Sequence, residues 1–421
     1  METKKRANVV LTTLKLLIMV ALAGVIVAGA FLSGVVFRGW STPQQAAIAA
    51  ETTETASSQP VIISSDDAAP GFDVFWEAWG IVEREFYGEV PDVEERVFGA
   101  IRGMVFTYGD ENTAFIDPTR ASLLQEDASG SFEGIGASVQ LDEVGRLVIA
   151  EPFVGRPAAE AGVQRGDVVL EVDGESLLGL SLYESVALIR GEAGSTVILT
   201  IARQGLDEPI EIPVVRAKIE IEVVESRVLD DNIGYVSLSE FSSGSSRKLL
   251  TAIEDLQDQG VEKLVLDLRN NPGGLLTESV AVTSLFLNDE IVLREKRKGF
   301  DQEQTYQATG INPLPDIPLV VLINRGSASA SEIVAGALKD HSRATIIGEQ
   351  SFGKGTVQLP HTLRDGSELR VTIAEWFTPD GNTIDETGIV PDIVVERTQA
   401  DFFDNLDPQL DRAIEVLNES N

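Results

Sequence analysis

The chain has no cysteine and only two histidines, His341 and His361, among 421 residues. That excludes a disulfide framework, thiol catalysis and Cys-ligated zinc or iron–sulfur sites, and it leaves too few imidazoles for a multi-His metal centre. Basic residues are also scarce: 33 Lys plus Arg face 67 Asp plus Glu, for a net charge of −34. A chain this acidic repels phosphate backbones, so nucleic acid is a poor partner. No phosphate-binding loop is evident, and no cofactor is expected. The 43% hydrophobic and 24% charged content is that of a folded protein, with a length that suggests about two to four domains.

The charge is unevenly spread. Residues 1–40 hold five basic side chains (Lys4, Lys5, Arg6, Lys15, Arg38) against one acidic (Glu2), net +4, so the rest carries −38. Leu16 to Phe37 is a run of 22 residues without a charge, about 33 Å as a helix, which is enough to cross a bilayer core. The basic cluster before it predicts a cytoplasmic N-terminus, with everything after Arg38 outside the cell membrane, periplasmic or at the cell surface. Ala28-Gly29-Ala30 offers the competing reading of a cleaved signal peptide, but the run is longer than a usual signal core, which favours an anchor. Residues 41–70 are small, polar and Pro-bearing, and read as a flexible linker.

Three folded blocks follow, in a mixed α/β, multidomain pattern. Residues 71–128 read as helical. Phe75, Trp76, Trp79, Ile81, Val82 and Phe86 form one apolar stripe, expected in the core; Val97, Ile101, Met104 and Val105 form a second, with Gly88 and Pro91 between. Residues 130–216 change to short strands (Leu147-Ile149, Val168-Val172, Val197-Ile201) and one short amphipathic helix, Leu182–Arg190. Residues 217–397 alternate buried strands (Ile233-Val236, Lys263-Leu268, Leu319-Ile323) with helices (Arg247–Gln259, Ser331–Asp340), the order of parallel βαβ units. Residues 398–421 form an acidic tail with one amphipathic stretch (Leu410, Ala413, Ile414, Leu417), readable as a docking or dimer helix or as a cap on the preceding domain.

In the second block, Gly134-Ile135-Gly136-Ala137 resembles the carboxylate-binding loop of PDZ domains, and AEAGVQRGDVVLEVDGESLLGLSLYESVALIRG is similar to their bacterial form along nearly its whole length. Glycines let successive N–H groups point at one carboxylate, and the adjacent strand edge accepts an extended peptide. Leu182 and Val186 on the short helix are placed to line an apolar groove for the last side chain of that peptide.

In a parallel sheet, loops leaving the carboxyl ends of strands share one edge, where sites form. Three qualify: Arg269 to Gly274 after LVLDL, Gly326 to Ser331 after LVVLIN, and Ser351 to Gly355 after ATIIGE. A helix from Ser331 to His341 descends about 16 Å, and a strand from Ala344 to Glu349 climbs about 20 Å back. Ser329 and Lys354 therefore return to the same level. A serine needs a neighbouring base. His341 falls at the far end of its helix, on the wrong edge, and His361 lies in a later strand. A lysine kept neutral by burial can substitute. Gly273 and Gly274 free backbone N–H groups on this edge, and Ala330 N–H lies at a helix start, so oxyanion donors are at hand.

SASASEIVAGALKDHSRATIIGEQSFGKGTVQ is similar to the signature of the carboxyl-terminal processing peptidases, the tail-specific Ser/Lys proteases. The resemblance runs from Phe75 to about Glu396 and includes LDLRNNPGG and FTPDGNTIDETGIVPDI. It implies a crotonase/Clp-protease-like α/β core, Ser329 as nucleophile, Lys354 as general base and Gln358 as the residue that orients the lysine. It further implies Gly274 and Ala330 as oxyanion donors, and Asp267, Arg269 and Glu332 as supporting residues. Its substrates would be proteins with free, apolar C-termini, and a homodimer or an adaptor protein is a further possible partner. Tyr108 to Thr113 (YGDENT) departs from the family pattern, where a Pro-His pair is usual, in a stretch read as structural.

Blander readings stand beside these. Ser329 with Glu332 is S-x-x-E, a capping box sufficient to explain both. Ser327 and Ser331 are rival nucleophiles; the family spacing selects Ser329. Asp267 and Arg269 would serve equally as a strand-end ion pair. The main alternative function is a membrane-anchored PDZ adaptor with an inactive protease-like fold, which would have no physical need for Ser329, Lys354 and Gln358 together. A trypsin-like PDZ protease would need a His-bearing barrel before the PDZ block, and none is there.

Overall fold

The structure, a computed structural model, describes residues 71–419 apart from 301, 311, 312, 315 and 405. The charge-free run 16–37, the Ala28-Gly29-Ala30 site and the linker 41–70 lie outside the described residues. Among those described, no helix is long and apolar enough to cross a membrane. The chain divides into two compact units, Met1–Val90 and Pro91–Asn421.

The first unit contributes one described helix, α1 (Phe72–Glu85). Its aromatic stripe is not core: Trp76 is 61% exposed and no residue of α1 is buried. The rings instead pack on one another, with the Phe75 and Trp79 centroids 5.8 Å apart. A 3.6-residue period specifies which face of a helix is apolar, not what covers it.

The second unit opens with α2 (Val93–Phe106), β1 (Ala114–Ile116) and α3 (Pro118–Ala128). The second stripe also needs correction. Phe98 and Val105 face inward and pack with Phe115 of β1, whereas Val97 and Met104 are exposed. Ile101 packs there too, so Ile101 and Val105 of the expected stripe face inward while Val97 and Met104 do not. The YGDENT turn is tied down by Asp110, which accepts the Thr113 hydroxyl and Asn112 N–H.

A two-stranded ribbon, β2 (Ser131–Gly134) against β9 (Ala217–Glu220), closes the base of the next domain. Between these strands lie β3 (Ala137–Leu141), β4 (Leu147–Pro152), α4 (Pro157–Glu160), β5 (Val168–Val172), β6 (Glu175–Ser176), α5 (Leu182–Ile189), β7 (Thr196–Ala202) and β8 (Ile210–Val215). The strands form one antiparallel sheet in the order β3-β4-β5-β7-β8, with β6 hairpinned onto β5. Alternating residues Val197, Leu199 and Ile201 of β7 are fully buried, as a half-covered strand requires. Ser181 and Glu184 start α5 with a reciprocal capping box.

The remainder comprises β10 (Val224–Val228), β11 (Ile233–Leu238), α6 (Ser245–Asp258), β12 (Lys263–Asp267), α7 (Leu276–Thr283), β13 (Ile291–Arg297), β14 (Gln304–Gln307), β15 (Leu319–Ile323), α8 (Ala330–Asp340), β16 (Thr345–Gly348), β17 (Thr356–Thr362), β18 (Glu368–Phe377), β19 (Ile393–Val394), α9 (Gln399–Phe403) and α10 (Pro408–Glu419). A six-stranded sheet runs β10-β11-β12-β15-β16-β19, parallel from β11 onward. A second sheet runs β1-β18-β13-β14, with β17 also paired to β18.

The parallel strands are buried on both faces, which is why LVVLI reads as an unbroken apolar run. Leu264, Leu266, Val321, Ile323 and Ile346 pack on one side against α6, α7 and α8. Val265, Val320, Leu322 and Ile347 pack on the other, against Ala413 and Leu417 of α10. The amphipathic stretch of the acidic tail is thus a helix laid on the sheet.

Candidate active site

Parallel pairing of β12, β15 and β16 puts the three glycine- and serine-rich loops on one edge, and the structure brings them together. Ser329 sits at the turn from β15 into α8, half-buried, with φ 54 and ψ −113. A non-glycine residue there is strained by about 1–3 kcal/mol, and the surroundings hold it. Ser327 and Ser331, the rival nucleophiles, are fully buried. Their hydroxyls donate to the Leu268 and Asn271 carbonyls. The structure therefore leaves Ser329 as the accessible serine of the three.

Glu332 is fully buried, and its carboxylate accepts four hydrogen bonds. One oxygen takes Ser329 N–H (2.7 Å) and Lys354 N–H (3.0 Å). The other takes the Ser351 hydroxyl and Gly353 N–H, both at 2.6 Å. The capping-box reading is thus half of the story: the same carboxylate that caps α8 also holds the loop after β16. Burial pushes the Glu332 pKa up, and the donors offset this only in part.

Lys354 is half-buried between two glycines that admit no side chain. A Cβ on Gly353 would come within 3.0 Å of Glu386 C and Gly388 N, and one on Gly355 would overlap the Asp385 backbone. The segment 385–388 therefore seals the lysine loop. Burial lowers the Lys354 pKa, the Arg370 guanidinium lowers it further, and the Glu332 carboxylate pulls the other way; the net is downward. Among the described residues, the ammonium nitrogen makes no hydrogen bond or ion pair.

Gly273 and Gly274 have positive φ, 105 and 144. A Cβ on Gly273 would lie 2.8 Å from the Ser329 Cβ, and one on Gly274 would overlap Phe241 O. Among the described residues, the N–H groups of Gly274 and Ala330 make no hydrogen bond, which leaves both free to donate.

Gln358 is on β17, but its amide nitrogen donates to Thr356 Oγ1 (2.9 Å) and Thr372 Oγ1 (3.3 Å); no hydrogen bond joins it to Lys354. Asp267 and Arg269 pair with each other at the end of β12. Asp267 also accepts the Tyr235 hydroxyl. Arg269 reaches Asp407 and Gln409 at the start of α10. Burial and then the Asp267 charge push Tyr235 up to about 12.

In the antiparallel domain, Gly134 ends β2 and Ala137 starts β3. Between them, among the described residues, the N–H groups of Ile135 and Gly136 make no hydrogen bond, while their carbonyls accept Ala158 N–H and Phe153 N–H. Gly136, Ala137 and Val186 line a cavity of about 170 Å³. Leu182 and Gly134 do not; Leu182 is partly buried against the domain core. A larger open cavity, about 1320 Å³, is lined by Phe153 and Val154 of this domain and by Gly274, Gln358 and Trp376. It touches the site at Gly274.

Two further residues were not singled out from the sequence. Ser351 relays Glu332 to Ile389 N–H, and Asn271 makes hydrogen bonds to both neighbouring loops. Asn271 looks like an ordinary turn residue beside a proline, and Ser351 like one near a glycine; only the fold supplies their partners.

Residues 232–395 match the model of Peptidase family S41, and residues 148–203 that of a PDZ domain. The chain is 42% identical over 332 residues to the carboxy-terminal-processing protease of Bartonella bacilliformis, covering 78% of this chain and 76% of that one. It is 35% identical over 356 residues to the carboxy-terminal processing protease CtpA of Bacillus subtilis, covering 83% and 75%. Among solved structures, the photosystem II D1 C-terminal processing protease matches with 32% identity and a TM-score of 0.47, over 78% of this chain and 94% of that one. Together the relatives and the domain order place this chain in the carboxy-terminal processing proteases, serine-type peptidases of family S41 that carry a PDZ domain.

Proposed function

We propose that this protein is a membrane-anchored, extracytoplasmic endopeptidase that cuts protein substrates near their C-termini, with Ser329 as nucleophile and Lys354 as its neutral base. The observation that carries the reading is the Glu332 carboxylate, which ties Ser329 and Lys354 together through their backbone N–H groups. Two free donors, Gly274 and Ala330, lie on the same edge. Asp267 and Arg269 support that edge, and Gln358 supports the strand that follows Lys354. The parallel sheet with helices packed on it suits a crotonase/Clp-protease-like core.

The chemistry follows from these parts. Ser329 Oγ attacks the scissile carbonyl carbon as its proton passes to Lys354 Nζ. The carbonyl oxygen takes the electron pair and is held by Gly274 and Ala330 N–H. Collapse expels the amine, which takes the proton from Lys354, and leaves an acyl ester on Ser329. A water deprotonated by Lys354 then hydrolyses the ester. An inactive adaptor would have no use for a strained serine and a lysine of lowered pKa tied to one buried carboxylate.

The PDZ domain reads the substrate's free C-terminus. Ile135 and Gly136 offer open N–H groups to a carboxylate, in the loop from Gly134 to Ala137. Val186 lines the adjoining cavity. In a body at −38, directed hydrogen bonds hold an anion where a general field would not.

Ser329→Ala and Lys354→Ala should each lower kcat about 10⁴-fold or more in folded protein, with the double variant no worse. Lys354→Arg should also fail, because arginine stays charged. Activity should fall as pH drops through the lowered Lys354 pKa. Arg370→Met removes a neighbouring positive charge, so the acid limb should move to higher pH; turnover by folded Lys354→Ala would sink the assignment. Glu332→Gln keeps one acceptor oxygen but turns an NH₂ toward backbone donors. It should lower stability by about 2 kcal/mol in a denaturant titration, and unchanged stability would remove Glu332 from its tying role. C-terminal amidation of a peptide substrate should cut turnover strongly, whereas equal rates would rule out reading of the C-terminus. Full-length protein should resist carbonate extraction from membranes, and a mature chain beginning at Phe31 would decide for a cleaved signal.

A further inference from the structure

We infer that Asn271 is a positioning residue for acyl transfer, which aims the Gly274 N–H and locks it to the Ser329 turn. The inference rests on Ser329 being the nucleophile and Gly274 an oxyanion donor. Asn271 lies in a loop, yet it is fully buried, and its polar atoms reach three elements. Its Nδ2 donates to the Leu238 carbonyl at the end of β11 (2.8 Å). Its Oδ1 accepts Gly273 N–H (2.9 Å). Its main-chain carbonyl accepts Ala328 N–H (3.0 Å) and the Ser331 hydroxyl (2.9 Å).

The first pair of bonds fixes the peptide unit that adjoins the one carrying the oxyanion donor. Gly273 N–H is spent on Asn271, and Gly273 O accepts Phe241 N–H at 2.9 Å. The peptide unit between Gly273 and Gly274 is planar and trans, so its N–H points opposite to its C=O. With the carbonyl held toward Phe241, Gly274 N–H faces the opposite way. Without the Asn271 bond, the Phe241 bond alone would hold that unit against rotation about the two positive-φ glycines, which have no Cβ to resist.

The second pair fixes the nucleophile turn relative to that donor. A single carbonyl holds the residue before Ser329 and the residue two after it. Ser329 is thus clamped on both sides to the loop that carries Gly274, and Gly273 packs directly against its Cβ. Ser329 keeps its strained φ without spending its own hydroxyl on that loop.

Asn271→Asp separates this role from simple packing. An ionised carboxylate can still accept Gly273 N–H but cannot donate to Leu238 O; protonated, it does both. Burial favours the protonated form as pH falls. In the full-length enzyme at neutral pH, the variant should lose about 10²-fold in kcat, the scale of a misplaced oxyanion donor, with KM within about threefold. The ratio of variant to wild-type kcat should recover as pH is lowered. A fluorophosphonate, whose phosphoryl oxygen occupies the oxyanion position, should label Ser329 more slowly by a similar factor. Ser331→Ala, which removes one arm of the clamp, should fold and lose about three- to tenfold in kcat at unchanged KM. The inference is overturned by a kcat deficit in Asn271→Asp that is flat with pH or matches its unfolded fraction, or by full kcat in Ser331→Ala. If wild-type enzyme is not labelled at Ser329, the nucleophile reading itself fails; if it is labelled and Asn271→Asp reacts as fast, only the positioning role falls.

Discussion

A carboxylate sealed from water holds the candidate site together. An ionised group without partners costs several kcal/mol to bury, so Glu332 is tolerable inside the protein only because four donors converge on it. Those donors come from two loops, Ser329 on one and Ser351, Gly353 and Lys354 on the other, at least 22 positions apart in sequence. Moving either loop away would leave a buried charge under-solvated, which makes the carboxylate a stiff tie rather than a passive cap. Its own charge also acts on the proposed base: it raises the Lys354 pKa while burial and Arg370 lower it. A lysine held by burial alone would risk losing its proton affinity altogether. One held by the carboxylate alone would stay an ammonium.

Parallel strands deliver the loops, but they do not aim them. The register of β12, β15 and β16 brings residues 267, 322 and 347 to one height, and glycines then permit the final approach. Gly274 fits only because no Cβ meets Phe241 O, and Gly355 only because none meets the Asp385 backbone. Close approach of this kind supplies proximity without orientation. Orientation comes from directed hydrogen bonds between segments: the Glu332 side chain on one side of Ser329, the Asn271 carbonyl on the other, and Ser351 behind Glu332.

Much of this was legible in the sequence. The alternation of apolar runs and helical stripes marked the parallel sheet. Helix rise against strand rise placed Ser329 and Lys354 at one level, as their shared partner now bears out. Other features were not legible, for physical reasons. The stripe of α1 names an apolar face without naming a cover, and Trp76 is exposed. Half of the α2 stripe, Ile101 and Val105, turns inward; Val97 does not, because Val97 and Phe98 are both apolar and only β1 decides which packs. Gln358 gives its amide to two threonines, one of them on the neighbouring strand β18, a choice set by strand pairing. Asn271 and Ser351 draw their roles from partners whose proximity is a property of the fold alone.

The C-terminal helix belongs to the same frame. Arg269 stands two residues before Asn271, and its guanidinium is shared between Asp267, at the end of β12, and Asp407 and Gln409, at the start of α10. The hydrogen bonds to Asp407 and Asp267 outweigh burial and hold Arg269 firmly in its charged form. Burial works against the Asp407 carboxylate too, and its bonds to Arg269 more than offset it, leaving its pKa low. Separating α10 from the sheet would therefore expose Ala413 and Leu417 and strip partners from a guanidinium that is almost fully buried. That combination costs far more than either loss alone. The acidic tail, far from the Ser329 loop in sequence, thereby steadies the strand end from which the oxyanion loop departs.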